Sequence, residues 1–179
     1  MPKMALLLWR EWPKLRRMRD EVRTVEIRRA VHQDVDAAFG LVQEYFAMAG
    51  VVAREDRGKF IEQYFGMEQG LWLARVEGEL AGCVGLRRLP RPEELEPEDL
   101  KCAEIKRMYV REKFRGRGVA ERLLAAAENF AREEDYARIY LDTASEMVAA
   151  ARLYERNGYE RCAKYNENPQ AAIFMRKSL

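Results

Sequence analysis

Residues 102–145 constrain this chain more than any other stretch. "CAEIKRMYV" (102–110) reads as a strand, and "REKFRGRG" (111–118) is a short basic turn. A helix follows, with Val119, Leu123, Ala127 and Phe130 as its apolar stripe, and "ARIYLDTAS" (137–145) is a second strand. A strand, a helix and a strand in one sheet form a right-handed crossover with the two strands parallel. The unit therefore demands a sheet with at least one parallel pair and a helix on its face.

The flanking segments extend that sheet. "TVEIRRA" (24–30) alternates as a strand, and Asp34 is placed to cap a helix carrying Val35, Ala38, Phe39, Val42, Tyr45, Phe46 and Ala49, stopped by Gly50. "EDRGKFIEQYFG" (55–66) predicts a second helix with Phe60, Ile61, Tyr64 and Phe65 inward. "LWLARV" (71–76) and "ELAGCVGLRRL" (79–89) around Glu77-Gly78 predict a β-hairpin. The proline- and carboxylate-rich residues 90–101 predict a solvated loop. Ser145 is expected to cap a helix ending at Gly158, and "YERCAKY" (159–165) and "AAIFMRKSL" (171–179) to form closing strands about a turn at Asn168-Pro169. The expectation is one α/β domain over residues 23–179: a mixed sheet of about seven strands flanked by about four helices.

Composition narrows the chemistry. A single histidine, His32, stands just before a helix and reads as a turn residue, leaving little for histidine-dependent nucleophiles or metal sites. Cys83, Cys102 and Cys162 are odd in number and widely spaced, which argues for a reducing cytoplasm, buried thiols and no metal. A net charge of +2 implies no nucleic-acid partner by itself. Residues 1–22 form a basic extension whose Arg16, Arg17 and Arg19 read as a solvated face or as a contact for an acidic partner. Its apolar run from Met4 to Trp9 is short and lacks a cleavage site, and is read as neither signal peptide nor anchor.

The turn at 111–118 has its own chemistry. A helix start leaves amide N–H groups unpaired and carries partial positive charge. Gly116 and Gly118 remove side chains where a ligand would approach the backbone, and Arg115 and Arg117 add full charge. The result is an anion seat suited to phosphate. Neither the Walker pattern nor the dinucleotide fingerprint fits, since position 121 is Glu121.

Arg115-x-x-Gly118-x-Ala120 resembles the acyl-CoA pyrophosphate signature of the GNAT superfamily of N-acyltransferases, and "AAARLYERNGYERC" (149–162) resembles that superfamily's second landmark. The order of elements matches from about residue 24 onward, and residues 1–22 lie outside the resemblance. It implies acetyl transfer from acetyl-CoA to the primary amine of a small molecule or peptide by direct attack. The strands at 102–110 and 137–145 should splay, with the backbone of Met108, Tyr109 and Val110 facing the pantetheine arm. The amides of Arg115, Gly116, Arg117, Gly118, Val119 and Ala120 should face the pyrophosphate. A CoA-binding regulatory module and a ribosome- or nucleic-acid-associated protein are the rival readings. A homodimer is compatible with the resemblance, and no membrane association is expected.

The reaction sets three demands. Deprotonating an amine of pKa near 10.4 at neutral pH costs about 4–5 kcal/mol. Glu104 stands where many relatives place a base, and reads equally as a structural carboxylate paired with Lys106 or Arg107. A backbone N–H near Met108 is the expected oxyanion donor. Tyr154 matches the tyrosine that protonates the leaving thiolate, the alternative being a core aromatic. The turn "YNENPQ" (165–170) is placed to line an acceptor pocket, with Tyr165 and Asn168 as hydrogen-bonding residues and Arg107 as a partner for an acceptor carboxylate.

Overall fold

The computed structural model describes residues 24–51, 55–97 and 99–179, so the basic segment 1–22 lies outside the described residues. Seven strands are present: β1 (Val25–Arg29), β2 (Gly70–Val76), β3 (Glu79–Leu89), β4 (Cys102–Val110), β5 (Arg138–Thr143), β6 (Glu160–Arg161) and β7 (Ile173–Ser178). They form one sheet in the order β1-β2-β3-β4-β5-β7-β6. Four helices flank it: α1 (Val35–Ala49), α2 (Arg57–Tyr64), α3 (Val119–Glu133) and α4 (Val148–Arg156). The architecture is the expected mixed sheet, and β4 and β5 are its parallel pair.

β2 is almost continuously apolar because both its faces are covered. Trp72, Ala74 and Val76 join the core under α3 and α4, whereas Leu71 and Leu73 join the core under α1 and α2. The stripe on α3 lies where expected, with Val119, Leu123, Ala127 and Phe130 all buried. Burying each larger apolar side chain contributes about 1.5–3 kcal/mol, which fixes α3 and hence the turn at its start.

Several local expectations are corrected. Asp34 occupies the N-cap position of α1, but its own backbone is already helical and its carboxylate turns back to Arg28 and the Val31 N–H. It therefore closes the short turn His32–Asp34, where His32 sits as expected. α2 is shorter than 55–66 because Asp56 caps it by accepting from the Lys59 N–H; Phe60 and Tyr64 are buried, Ile61 and Phe65 only half-buried. α4 starts from Met147 rather than from Ser145, whose side chain caps nothing. The strand expected over 159–165 shrinks to two residues, since only Glu160 and Arg161 pair with β7. Nor is the loop 90–101 wholly solvated: Glu96 is buried and accepts from Arg138, Tyr140 and Arg176. Cys83 and Cys102 are buried thiols, while Cys162 is half-buried.

β3 and β4 pair through a bulge. Cys83 opposes Tyr109 and Gly85 opposes Lys106, so Arg107 and Met108 together face one residue of β3. Arg107 adopts φ 56°, a left-handed conformation that a non-glycine residue holds only when its surroundings impose it. The Cys83 thiol donates to the Arg107 carbonyl at 3.4 Å, and Gly82 lies against the Tyr109 carbonyl on the opposite strand.

Gly82→Ala should lower stability by about 1–3 kcal/mol, because its Cβ would push backbone rather than a movable side chain. Gly40→Ala, in α1 with nothing near its Cβ position, should raise stability by about 0.5–1 kcal/mol. Urea melts of the two variants check both signs.

Candidate active site

The parallel ladder between β4 and β5 is three residues long. Cys102 pairs with Arg138, Ala103 with Ile139 and Glu104 with Tyr140, and beyond that point the strands separate. The fork opens into a cleft of about 630 Å³. Tyr45 and Met48 of α1 form one wall, Ile105, Lys106, Arg107 and Met108 of β4 another. Asp142 and Thr143 of β5 with Met147, Ala150 and Tyr154 lie opposite. The segment after β6 covers one side, where the Gln170 amide donates to the Gly50 carbonyl at 3.1 Å.

Glu104 stands at the crotch of the fork and is fully buried. Its Oε2 accepts from Arg87 Nε at 2.8 Å and lies 2.7 Å from the second guanidinium nitrogen. Its Oε1 accepts from Tyr165 at 2.9 Å and Asn166 at 3.3 Å, and lies 2.9 Å from Lys106 Nζ. A carboxylate offers about four lone-pair sites, and five donor contacts fill them. This geometry favours the structural reading of Glu104. Its cations are Lys106 and Arg87; the expected pairing with Arg107 is absent. Arg107 donates instead to Glu55 at 2.9 Å and lies over the Phe46 ring, because the bulge turns it toward α1.

Tyr154 faces the cleft with its ring edge-on to Tyr159 at 5.6 Å. Burial raises its hydroxyl well above the ordinary range, so it stays protonated and able to donate. Tyr165 is less available than expected: its hydroxyl is committed to Glu104 and its ring packs on Tyr140. Asn168 lines the cleft and donates to Asp142 Oδ1 at 3.2 Å. Tyr109 lies outside the cleft lining, and its hydroxyl donates to Glu44 on α1 at 3.3 Å.

Lys106 was anticipated as a partner of Glu104 and does pair with it, whereas Arg87, Asp142 and Asn166 were missed by sequence reasoning. One local signal was there to be read: Asp142 is a lone charge in the otherwise uncharged run "IYLDTA".

The turn at the end of β4 has the form expected of an anion seat. Gly116 and Gly118 have φ 71° and 72°, and nothing lies within 4 Å of where a Cβ would stand on either. Gly118 opens α3 with no side-chain cap, so the first amides of α3 have no side-chain partner. Arg115 to Gly118 are exposed; Arg115 Nε reaches the Val110 carbonyl at 3.0 Å, and Arg117 lies over the Phe114 ring. An open cradle of amides beside two arginines, on the turn that ends β4, fits a pyrophosphate with an acyl arm running along that strand.

Comparison with known proteins gives the same picture. Residues 28–159 match the family model described as the acetyltransferase (GNAT) family. The uncharacterized N-acetyltransferase YjgM of Escherichia coli is 30% identical over 134 residues, covering 75% of this chain and 74% of that protein. An N-acetylaspartate synthetase of Xenopus tropicalis is 33% identical over 102 residues, 56% of this chain; the match spans only 35% of that protein's length. The crystal structure of a putative acyl-CoA N-acyltransferase from Klebsiella pneumoniae superposes with a TM-score of 0.64 at 28% identity, covering 88% of this chain and 99% of that one.

Replacing Glu104 by glutamine would leave Arg87 and Lys106 beside a neutral amide. Glu104→Gln should cost about 3–5 kcal/mol, the scale for one charge removed from a buried pair. A guanidinium melt within about 0.5 kcal/mol of wild type would contradict the structural role, being the range of an ordinary surface change.

Proposed function

This chain belongs to the acetyltransferase (GNAT) family, and we propose that it transfers the acetyl group of acetyl-CoA to the primary amine of a small molecule or peptide. The observation that carries the proposal is that one strand, β4, lines the cleft between β4 and β5 as far as Met108 and leads directly into the open amide cradle at Gly116–Gly118. When bound, acetyl-CoA supplies a thioester carbonyl open to attack by the amine. The Arg115 N–H donates to the Glu112 carbonyl, so the amides of residues 116–120 would hold its pyrophosphate, and the unpaired edge of β4 at Met108, Tyr109 and Val110 would align its arm. A backbone N–H near Met108 is the proposed oxyanion donor. Tyr154 is the proposed acid for the leaving thiolate; its protonated hydroxyl supports that role.

Arg107 is the proposed partner for a carboxylate on the acceptor. It lines the cleft and, among the described residues, donates only its Nε–H, which leaves its terminal N–H groups available. The similarity to an N-acetylaspartate synthetase favours a small amino acid within the proposed class. Binding as a purely regulatory module is disfavoured by the presence of Tyr154 in the cleft.

The test is thiol release from acetyl-CoA across a panel of amino acids, polyamines and short peptides, with mass-spectrometric identification of the acetylated product. Tyr154→Phe should lower turnover by about 10²–10⁴-fold, while its acetyl-CoA affinity stays close to wild type. Wild-type turnover with a reduced melting temperature would mean that Tyr154 only packs.

A further inference from the structure

We propose that Asp142, rather than Glu104, is the carboxylate that takes the proton of the attacking amine, an assignment that rests on the transferase reading above. The two carboxylates differ in what their lone pairs already hold. Glu104 accepts five contacts, does not line the cleft, and its side chain is 1% exposed. Asp142 lines the cleft, and its side chain is 6% exposed. Its Oδ2 accepts from Lys106 at 2.7 Å and from Asn166 at 2.6 Å. Among the described residues its Oδ1 accepts only the Asn168 amide, at 3.2 Å, which leaves one of about four lone-pair sites open.

The position follows from the sheet. Asp142 is two residues beyond Tyr140, the last β5 residue to pair with β4, so it is the first carboxylate past the fork. Lys106 bridges it to Glu104, and the same ammonium thereby holds both anions. From α1 and α4, Tyr45 and Tyr154 face it closely enough to feel its charge. Arg87, Arg107 and Glu146 complete the ionisable groups on the walls. Asp142 and the proposed acid Tyr154 therefore look into one cavity.

The step balances within this constellation. Asp142 Oδ1 takes one proton of the ammonium, directly or through one water, and the neutral nitrogen forms a bond to the thioester carbon. The carbon–sulfur bond then breaks, and the thiolate takes the Tyr154 proton. The second proton lost by the nitrogen restores the Tyr154 hydroxyl through solvent, and Asp142 returns its own proton to solvent before the next turnover.

The experiment measures CoA release by wild type, Asp142→Asn and Glu104→Gln, using the panel amine with the highest wild-type rate. Asp142→Asn should fall by about 10²–10³-fold at pH 7, and the deficit should narrow at least tenfold by about pH 10, where a far larger fraction of the amine is already neutral. Its acetyl-CoA affinity by calorimetry should stay near wild type, and its urea midpoint should fall less than that of Glu104→Gln, since Lys106 keeps Glu104 as a partner. Glu104→Gln should instead lose stability, with a deficit in rate that does not change with pH. A pH-independent loss in Asp142→Asn, or a pH-dependent one in Glu104→Gln, overturns the assignment while leaving the transferase reading intact. Absence of thiol release by wild type with every amine overturns both.

Discussion

Glu104 is the last residue of β4 to pair with β5, and its buried carboxylate gathers Arg87 from β3, Lys106 from its own strand, and Tyr165 and Asn166 from the segment after β6. Burying a carboxylate is expensive unless its partners are close and its lone pairs are used. Here both conditions hold, so one side chain ties three parts of the chain at the point where the sheet divides. The cleft walls depend on it. Lys106 carries the network across the gap to Asp142, and Asn166 reaches both anions, which sets the distance between the diverging strands.

A second constraint acts along β4. The bulge at Arg107 and Met108 breaks the pairing with β3 and holds Arg107 in a left-handed conformation. Strain of this kind persists only where packing imposes it. The Cys83 thiol on the Arg107 carbonyl, and the Glu55 and Phe46 contacts of the guanidinium, supply that packing. Two tasks are thereby separated on one strand. Its first half is pinned on both sides, and its second half is free to present backbone to a ligand. At its end, Gly116 and Gly118 take positive φ and open a helix whose first turn has no side-chain cap.

What could be read from sequence was what local spacing determines. The stripe on α3, the glycines before it and the order of elements are properties of neighbouring residues, and all appear in the fold. Asp34 and Ser145 failed as helix caps because each turn is set by contacts beyond it: Arg28 claims the aspartate, and the chain runs two residues further before α4 begins. The environment of Glu104 was hidden for a related reason. Apart from Lys106, two residues on, its partners lie 17 residues before it and 61 and 62 after it, and only the folded sheet brings them together. Arg107, three residues from Glu104, looked like its partner until the bulge turned it away. Glu96 looked solvated in a proline-rich loop, yet it is buried beneath Arg138 and Arg176, which come from distant strands.

The central claim is that the fork and the glycine turn form one continuous site for an acyl-CoA. Amide hydrogen exchange with and without acetyl-CoA tests it directly, since a ligand pairing with backbone slows exchange where it binds. Exchange should slow together over residues 106–110 of β4 and 116–121 at the start of α3, with β1 and α2 unchanged. Protection confined to one of these segments, or appearing elsewhere on the sheet, would contradict the account.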